Sequence, residues 1–346
     1  MSTPGTKNYR AVRLLRLEKT VEAGIAGLSL ESLPREAELG PTEVRVRVFA
    51  SALNYFDLLM LIGRYQLRPP LPFTVGSEAA GVVEQVGSEV RRFRVGDAVF
   101  TGMSGGNAVA SEMVVQEGLL IHKPDQFSFA EAAGLPVAFF TNWHALVHRG
   151  ELRKGETLLV TGAGGGMGLA AVQMGVQLGA TVIAAASSEA KCAAARAAGA
   201  HHVVNYSDVK QLKARVSELT AGRMADVCYE VVGGEVFTEC VRCLSGGGRL
   251  LVVGFASGTI PSVAMNLVLV KGISLIGVRS GQEMMDHPEL TEEMIKGMEA
   301  LKDRTLAPKV TTVPADDFRR AYELIRSKQV VGKAIILWQP DGKAKL

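Results

Sequence analysis

No cysteine occurs before Cys192 in this chain of 346 residues, and only four are present: Cys192, Cys228, Cys240 and Cys243. That distribution does not suggest the disulfide framework of a small secreted domain. Cys240 and Cys243 form a C-x-x-C pair, but it lies within "VFTECVRCLSG", which reads as a helix, and no second pair completes a metal site. No apolar run reaches the roughly 18 residues that a membrane helix needs, so no membrane association is expected. An excess of one charge sign is also missing. A net charge of +3 leaves no footprint for nucleic acid, and the basic cluster Arg91–Arg94, interrupted by Phe93, reads as a solvated strand edge. Internal repeats and low-complexity tracts are absent.

What remains describes an ordinary globular protein, 47% apolar and 21% charged, with a length that suits two domains. The first third reads as strands and turns. "EVRVRVFA" alternates Val44, Val46 and Val48 with Arg45 and Arg47, as a half-buried strand with one wet face would. "AAGVVEQVG", "VGDAVF" and "SEMVVQ" are further short apolar runs bounded by glycine or charge, so a small barrel-like β domain is expected. From about residue 130 the pattern changes. "TLLVTG", "TVIAAA", "HHVVNY", "ADVCYEVVG", "GRLLVVGF" and "GISLIGV" are apolar runs of strand length, separated at first by segments of helical length. Continuous apolar strands alternating with helices imply a parallel sheet covered on both faces, and six of them fit a doubly wound nucleotide-binding domain. From about residue 280 the tail regains mixed character. There "PADDFRRAYELIRSKQ" reads as an amphipathic helix and "GKAIILW" as a closing strand that rejoins the first domain.

The segment Thr161–Gly168, "TGAGGGMG", follows the first of these strands and opens a helix. Gly162, Gly165 and Gly168 give G-x-x-G-x-x-G, with Gly164 and Gly166 added and Met167 between the last two glycines. The first glycine lets the chain turn off the strand and the last lets the helix pack close. Missing side chains between them let backbone N–H groups approach a pyrophosphate at the positive helix end. An NAD site usually carries Asp or Glu at the end of the second strand, for the ribose 2′-hydroxyl. Here that strand ends in Ala186, Ser187 and Ser188, with Lys191 following. Hydroxyls and an ammonium suit a 2′-phosphate, and Tyr206 after the third strand could add its hydroxyl. NADPH is therefore the expected cofactor. Capping of the next helix by Ser187 or Ser188 is compatible with this, since it uses the serine hydroxyl and not the lysine ammonium.

A β domain, an inserted nucleotide-binding domain and a returning tail resemble the medium-chain dehydrogenase/reductase superfamily. The residues carrying the match are "ALNYFDLLMLIGRY", "PFTVGSEAAGVVEQVGSEVRRFRVGDAVF", the glycine turn, "GRLLVVGFASG" and "VGKAIIL". "NLVLVKGISLIG" adds similarity to the quinone oxidoreductase branch, the zeta-crystallin-like members. The resemblance spans nearly the whole chain. It implies an α/β protein with a GroES-like β-barrel catalytic domain (1–133), an inserted Rossmann domain (134–279) and a return to the catalytic domain (280–346). Zinc-dependent members would have a cysteine at Asn54 and a histidine at Ser77, and catalytic zinc needs three protein ligands. No cysteine lobe for a structural zinc is present either. His144 and His148, spaced i, i+4, could share a metal but read as ordinary helix residues. No metal is expected. "GMSGG" (102–106) matches G-x-S-x-G, but the strand-like "NAVASEMVV" that follows is wrong for a nucleophile elbow.

Without a Lewis acid, the feasible chemistry is hydride transfer to an acceptor that is already electrophilic, a quinone or an enone. By resemblance Asn54 is the candidate donor to the developing oxyanion. Tyr65 can donate a hydrogen bond or a proton, and Asp57 holds Asn54 or Arg64 or takes part directly. Thr141 corresponds to the family threonine near the nicotinamide, and Gly254 and Phe255 to the turn that meets its end. Alternatives are a crystallin-like protein that binds NADPH with little turnover, and a zinc alcohol dehydrogenase with unusual ligands. A homodimer through the sixth strand, "SLIGV", is expected because an exposed edge invites pairing. The cytosol is the default compartment. The basic start, free of acid until Glu18, leaves mitochondrial import open, although "YRAVRLLRL" alternates as a first strand would.

Overall fold

Val44, Val46 and Val48 turn inward along Glu43–Leu53, the longest strand of the protein, and form one core of the first unit with Val83 and Val99. The structure, a computed structural model, describes residues 8–36, 38–102, 106–299 and 305–339. Met103–Gly105 of the "GMSGG" segment and the first seven residues of the basic start lie outside the described residues. The chain forms two compact units, Met1–Val137 with Gly297–Leu346, and Ala138–Lys296. The sequence, with the family resemblance, implied the corresponding boundaries at 134 and 280.

In chain order the strands are β1 (Asn8–Leu14), β2 (Ser29–Pro34), β3 (Glu43–Leu53), β4 (Phe73–Thr74), β5 (Glu78–Val86), β6 (Ala98–Gly102), β7 (Glu112–Gln116) and β8 (Leu120–His122). The second unit supplies β9 (Thr157–Val160), β10 (Thr181–Ala186), β11 (His202–Asn205), β12 (Ala225–Glu230), β13 (Leu244–Val252) and β14 (Ser274–Gly277). The chain then returns with β15 (Val310–Pro314) and β16 (Lys333–Leu337).

The first unit contains a sheet ordered β15-β16-β3-β5-β6-β8, with β7 paired to β3, and a smaller sheet ordered β2-β1-β4. The returning tail is part of this architecture. β16 runs antiparallel to β3, setting Ala334 opposite Leu53 and Leu337 opposite Ala50. The amphipathic segment forms the helix Phe318–Arg326, and its apolar stripe buries Phe318, Ala321 and Tyr322 against Leu53, Leu58 and Ile336. This is the GroES-like part.

The second unit is a parallel sheet ordered β11-β10-β9-β12-β13-β14, the doubly wound Rossmann arrangement. Its core gathers Leu159, Ile183, Val204, Cys228 and Leu250. The order reverses between β9 and β12, and ligands of open α/β sheets bind outside the strand ends at such a switch point. All four cysteines are free and buried, with Cys240 and Cys243 on the helix Gly234–Cys243. His144 and His148 lie in a widened helical turn, where Gly150 N–H donates to Ala145 O, five residues back, at 2.7 Å. No helix among the described residues is long and apolar enough to cross a membrane.

One expectation is corrected. Arg45 does not face water: it is 1% exposed. Its guanidinium pairs with Glu112 of β7 and donates to Glu36 O at 2.6 Å and to Gln85 Oε1 at 3.2 Å. Glu112 also takes Arg35. Removing one partner of a buried pair strands the other charge. Glu112→Ala should therefore lower the unfolding free energy by about 3 kcal/mol in chemical denaturation. A loss of less than ~1 kcal/mol would mean that Arg45 finds water after all.

Candidate functional site

In the second unit the site is built around the end of β9. Gly162 sits at φ 58°, a left-handed conformation, and turns the chain off the strand. Gly165 is the N-cap of the helix Gly166–Gln177 and has no side chain to offer as a cap. The first N–H groups of this helix therefore lack intrahelical partners. Gly168 is buried, and a Cβ there would collide with the Gly162 carbonyl oxygen. The helix start lies against the turn in a way that only glycine permits. Together these features make an anion cradle of bare backbone at the positive end of a helix.

Four side chains hold the cradle in place. Tyr206 is buried, and burial raises its phenol to about 12 while the Gly162 backbone hydrogen-bonds its oxygen. It thus lies beneath the turn. Asn142, fully buried, donates from Nδ2 to Met167 O at 3.1 Å. Thr161 Oγ1 lies 3.3 Å from Glu230 Oε1. Glu230 is fully buried at the end of β12 and also accepts the N–H groups of Val232 at 2.7 Å and Gly233 at 3.0 Å. Burial raises its carboxyl above the ordinary value, and these hydrogen bonds pull it back. Glu230 therefore fastens the segments after β9 and β12 on the two sides of the switch point.

Around the cradle, the Lys191 stem lies directly against Gly164, where it would overlap any Cβ. Ser188 caps the helix Glu189–Ala197 by accepting Lys191 N–H at 3.4 Å, and Ser187 is exposed beside it. Glu189, the acid that follows Ser188 in the chain, accepts Asn205 Nδ2–H at 2.6 Å. Gly254 and Phe255 form the turn after β13. That turn is docked on the segment after β12 by Ala256 N–H to Val231 O at 3.0 Å and Ser257 N–H to Val232 O at 2.7 Å. Thr141 shares a hydrogen bond with Ser280, oxygen to oxygen 2.9 Å.

In the first unit, Asn54 is the N-cap of the helix Tyr55–Met60 and lies within a buried polar cluster. Its backbone N–H donates to Asp57 Oδ2, its Nδ2–H donates to Glu78 Oε2, and its Oδ1 accepts from Lys333 Nζ, each at 2.6 Å. Lys333 Nζ also meets Glu78 Oε2 at 2.6 Å, and Glu78 Oε1 accepts Val137 N–H at 2.7 Å. Asp57 is buried, and its Oδ1 and the Tyr322 hydroxyl have no hydrogen-bond partner among the described residues. Burial lifts the Asp57 carboxyl to about 7, opposed by the Asn54 N–H and the Lys333 charge. Burial first, and then the Asp57 charge, push Tyr322 well above the ordinary phenol value. Tyr65 stacks on Phe56, ring centroids 5.0 Å apart.

Sequence reasoning missed Glu230, Lys333 and Tyr322. A local signal existed for the two charges: each stands at the end of an apolar run, "ADVCYE" and "KAIIL", where a charge must find a partner. Among the described residues no three His, Cys, Asp or Glu side chains cluster as a metal site would require.

Two family models match the chain: the alcohol dehydrogenase GroES-like domain over residues 40–125 and the zinc-binding dehydrogenase over 166–299. The chain is 35% identical over 335 residues to a quinone oxidoreductase-like protein 2 homolog of Nematostella vectensis, covering 96% of this chain and 90% of that one. It is 37% identical over 268 residues to a quinone oxidoreductase of Pseudomonas aeruginosa, covering 78% and 82%. The structure is similar to that of Escherichia coli quinone oxidoreductase complexed with NADPH, with a TM-score of 0.83 and 26% identity, covering 95% of this chain and 99% of that one.

The Asp57 carboxyl provides a direct test of the buried cluster. Its value rises from 3.8 to about 7 on folding, so the folded state keeps a proton that the unfolded chain has released. Stability should fall as pH rises between those values, by an amount on the order of 4 kcal/mol for this group. Asp57→Asn keeps an oxygen for the Asn54 N–H and does not titrate. Its unfolding free energy relative to wild type should therefore rise between pH 5 and pH 8. A difference that stays flat with pH would contradict the burial of this carboxyl.

Proposed function

Because the chain belongs to the medium-chain dehydrogenase/reductase family, in its quinone oxidoreductase-like branch, we propose that it is an NADPH-dependent reductase delivering hydride to a quinone or an α,β-unsaturated carbonyl without a metal. One observation carries the reading: a helix start stripped of side chains, with a lysine laid along it and no carboxylate at the end of β10. The N–H groups of Gly166, Met167 and Gly168 would hold the pyrophosphate, and Lys191 and Ser187 the 2′-phosphate. Tyr206 supports the turn from below. Gly254, Phe255 and Thr141 would border the nicotinamide.

NADPH, when bound, supplies the hydride. Asn54 donates a hydrogen bond to the acceptor oxygen as negative charge develops there. Tyr65 orients the acceptor by a phenolic hydrogen bond, and Asp57 holds the Asn54 backbone. The four free thiols suit a reducing compartment such as the cytosol. A second copy of the chain would cover the edge strand β14. Ile260, Met265, Leu269 and Val270 precede this strand and are exposed, Val270 at 82%.

Three measurements test this reading. NADPH should be oxidised in the presence of at least one member of a panel of quinones and 2-alkenals. Cofactor binding without turnover on any acceptor would favour a crystallin-like role. Lys191→Ala should weaken NADPH by roughly 1.5–3 kcal/mol and leave NADH nearly untouched; equal loss for both means that Lys191 does not read the 2′-phosphate. Leu269→Asp with Val270→Asp should shift the sedimentation profile from dimer to monomer, and a wild-type monomer at working concentration refutes the dimer.

A further inference from the structure

Lys333 opens β16 with its side chain only 4% exposed, and its ammonium meets two oxygens, Asn54 Oδ1 and Glu78 Oε2. An ammonium can only donate, and an ionised carboxylate can only accept. An asparagine amide, in contrast, has one end of each kind, and rotation about its terminal bond exchanges them. Between Lys333 and Glu78 only one orientation satisfies both neighbours: Oδ1 toward the ammonium, Nδ2 toward the carboxylate. One N–H then goes to Glu78, and the other meets no partner among the described residues. Reversed, the amide would put its oxygen against the carboxylate and its N–H against the ammonium, two repulsions inside a site closed to water.

We propose that Lys333 is a positioning residue for hydride transfer. Together with Glu78 it locks the Asn54 carboxamide in the one orientation that presents an N–H, rather than an oxygen, to the acceptor. The ammonium also draws electron density toward Oδ1 and so strengthens the remaining N–H as a donor. The proposal rests on the reading of Asn54 as the oxyanion donor. The two opposite charges of Lys333 and Glu78 largely cancel each other's field beyond the cluster, so their influence is exerted through the amide. Neither residue needs to touch the acceptor.

Lys333→Met alone leaves a buried carboxylate without its cation and destabilises the fold, so the informative variant is Lys333→Met with Glu78→Gln, which removes both charges. In this variant NADPH affinity should stay within about twofold, since the cofactor cradle belongs to the other unit. The kcat should fall by about 10- to 100-fold, a fraction of what loss of an oxyanion donor costs. In an Asn54→Ala background the same pair of changes should cost nothing further. A full multiplicative loss in that background overturns the proposal, because Lys333 would then act independently of Asn54. A second readout does not depend on turnover. The two Asn54 Nδ2 proton signals, assigned by their absence in Asn54→Ala, should lie away from the positions usual for a solvated asparagine amide in wild type, with the proton held by Glu78 shifted downfield, and should move toward the usual positions in the charge-free variant. Unchanged signals overturn the positioning role. If wild-type protein binds NADPH but reduces no acceptor, the reductase reading fails, whereas the amide signals still decide whether Lys333 fixes Asn54.

Discussion

Lys333 and Glu78 stand 255 residues apart in the chain, yet their side chains meet at 2.6 Å in a region closed to water. A contact of that kind is all or nothing. The isolated charges are costly to bury, and the pair is tolerated only if both arrive together with hydrogen bonds to satisfy what remains. Here the remaining valences are taken by Asn54 and by the Val137 N–H. The same contact ties the returning tail to the first strands of the unit, because Lys333 is the first residue of β16 and β16 pairs with β3. The first unit is therefore closed around a polar cluster whose members have little freedom to rearrange.

The second unit solves a different problem with the opposite material. Its site is made by omission: at Gly162 the backbone takes a left-handed turn, and at Gly168 the helix approaches the turn too closely for any side chain. Charge enters only at the margins. Lys191 lies along the cradle, and Glu230 is spent inward on backbone N–H groups that hold the flanking segments. An anion approaching the helix start therefore meets backbone dipoles and a cation, while Glu189 and Glu230 are engaged by Asn205 and by backbone N–H groups. A dinucleotide carrying an extra phosphate is the ligand class such a field favours.

Much of this was legible beforehand, for reasons that can be stated. The six apolar runs of the second unit identify themselves as strands because a sheet covered on both faces leaves no wet side to interrupt them. The glycine turn was legible because its chemistry is local: strand, turn and helix start are consecutive in the chain. Arg45 shows where such reading fails. Alternation reports that a strand has two faces, not what covers each, and Glu112 from β7 turns the expected wet face into a buried ion pair. Tyr206 is similar. Its position after the third strand suggested a hydroxyl available to a phosphate, but the fold buries the ring and sets the Gly162 backbone against its oxygen.

The sequence by itself therefore determined the elements, the order of the two units, the family resemblance and the place of the glycine turn, because each depends on residues near one another along the chain or on patterns repeated at a fixed period. Only the tertiary structure decided the surroundings of Asn54. Lys333 lies 279 residues away from it, and no periodicity or spacing links the two. Which buried charge meets which amide is settled when distant strands pack. That long-range choice gives an ordinary asparagine a fixed orientation and a buried lysine a reason to be there.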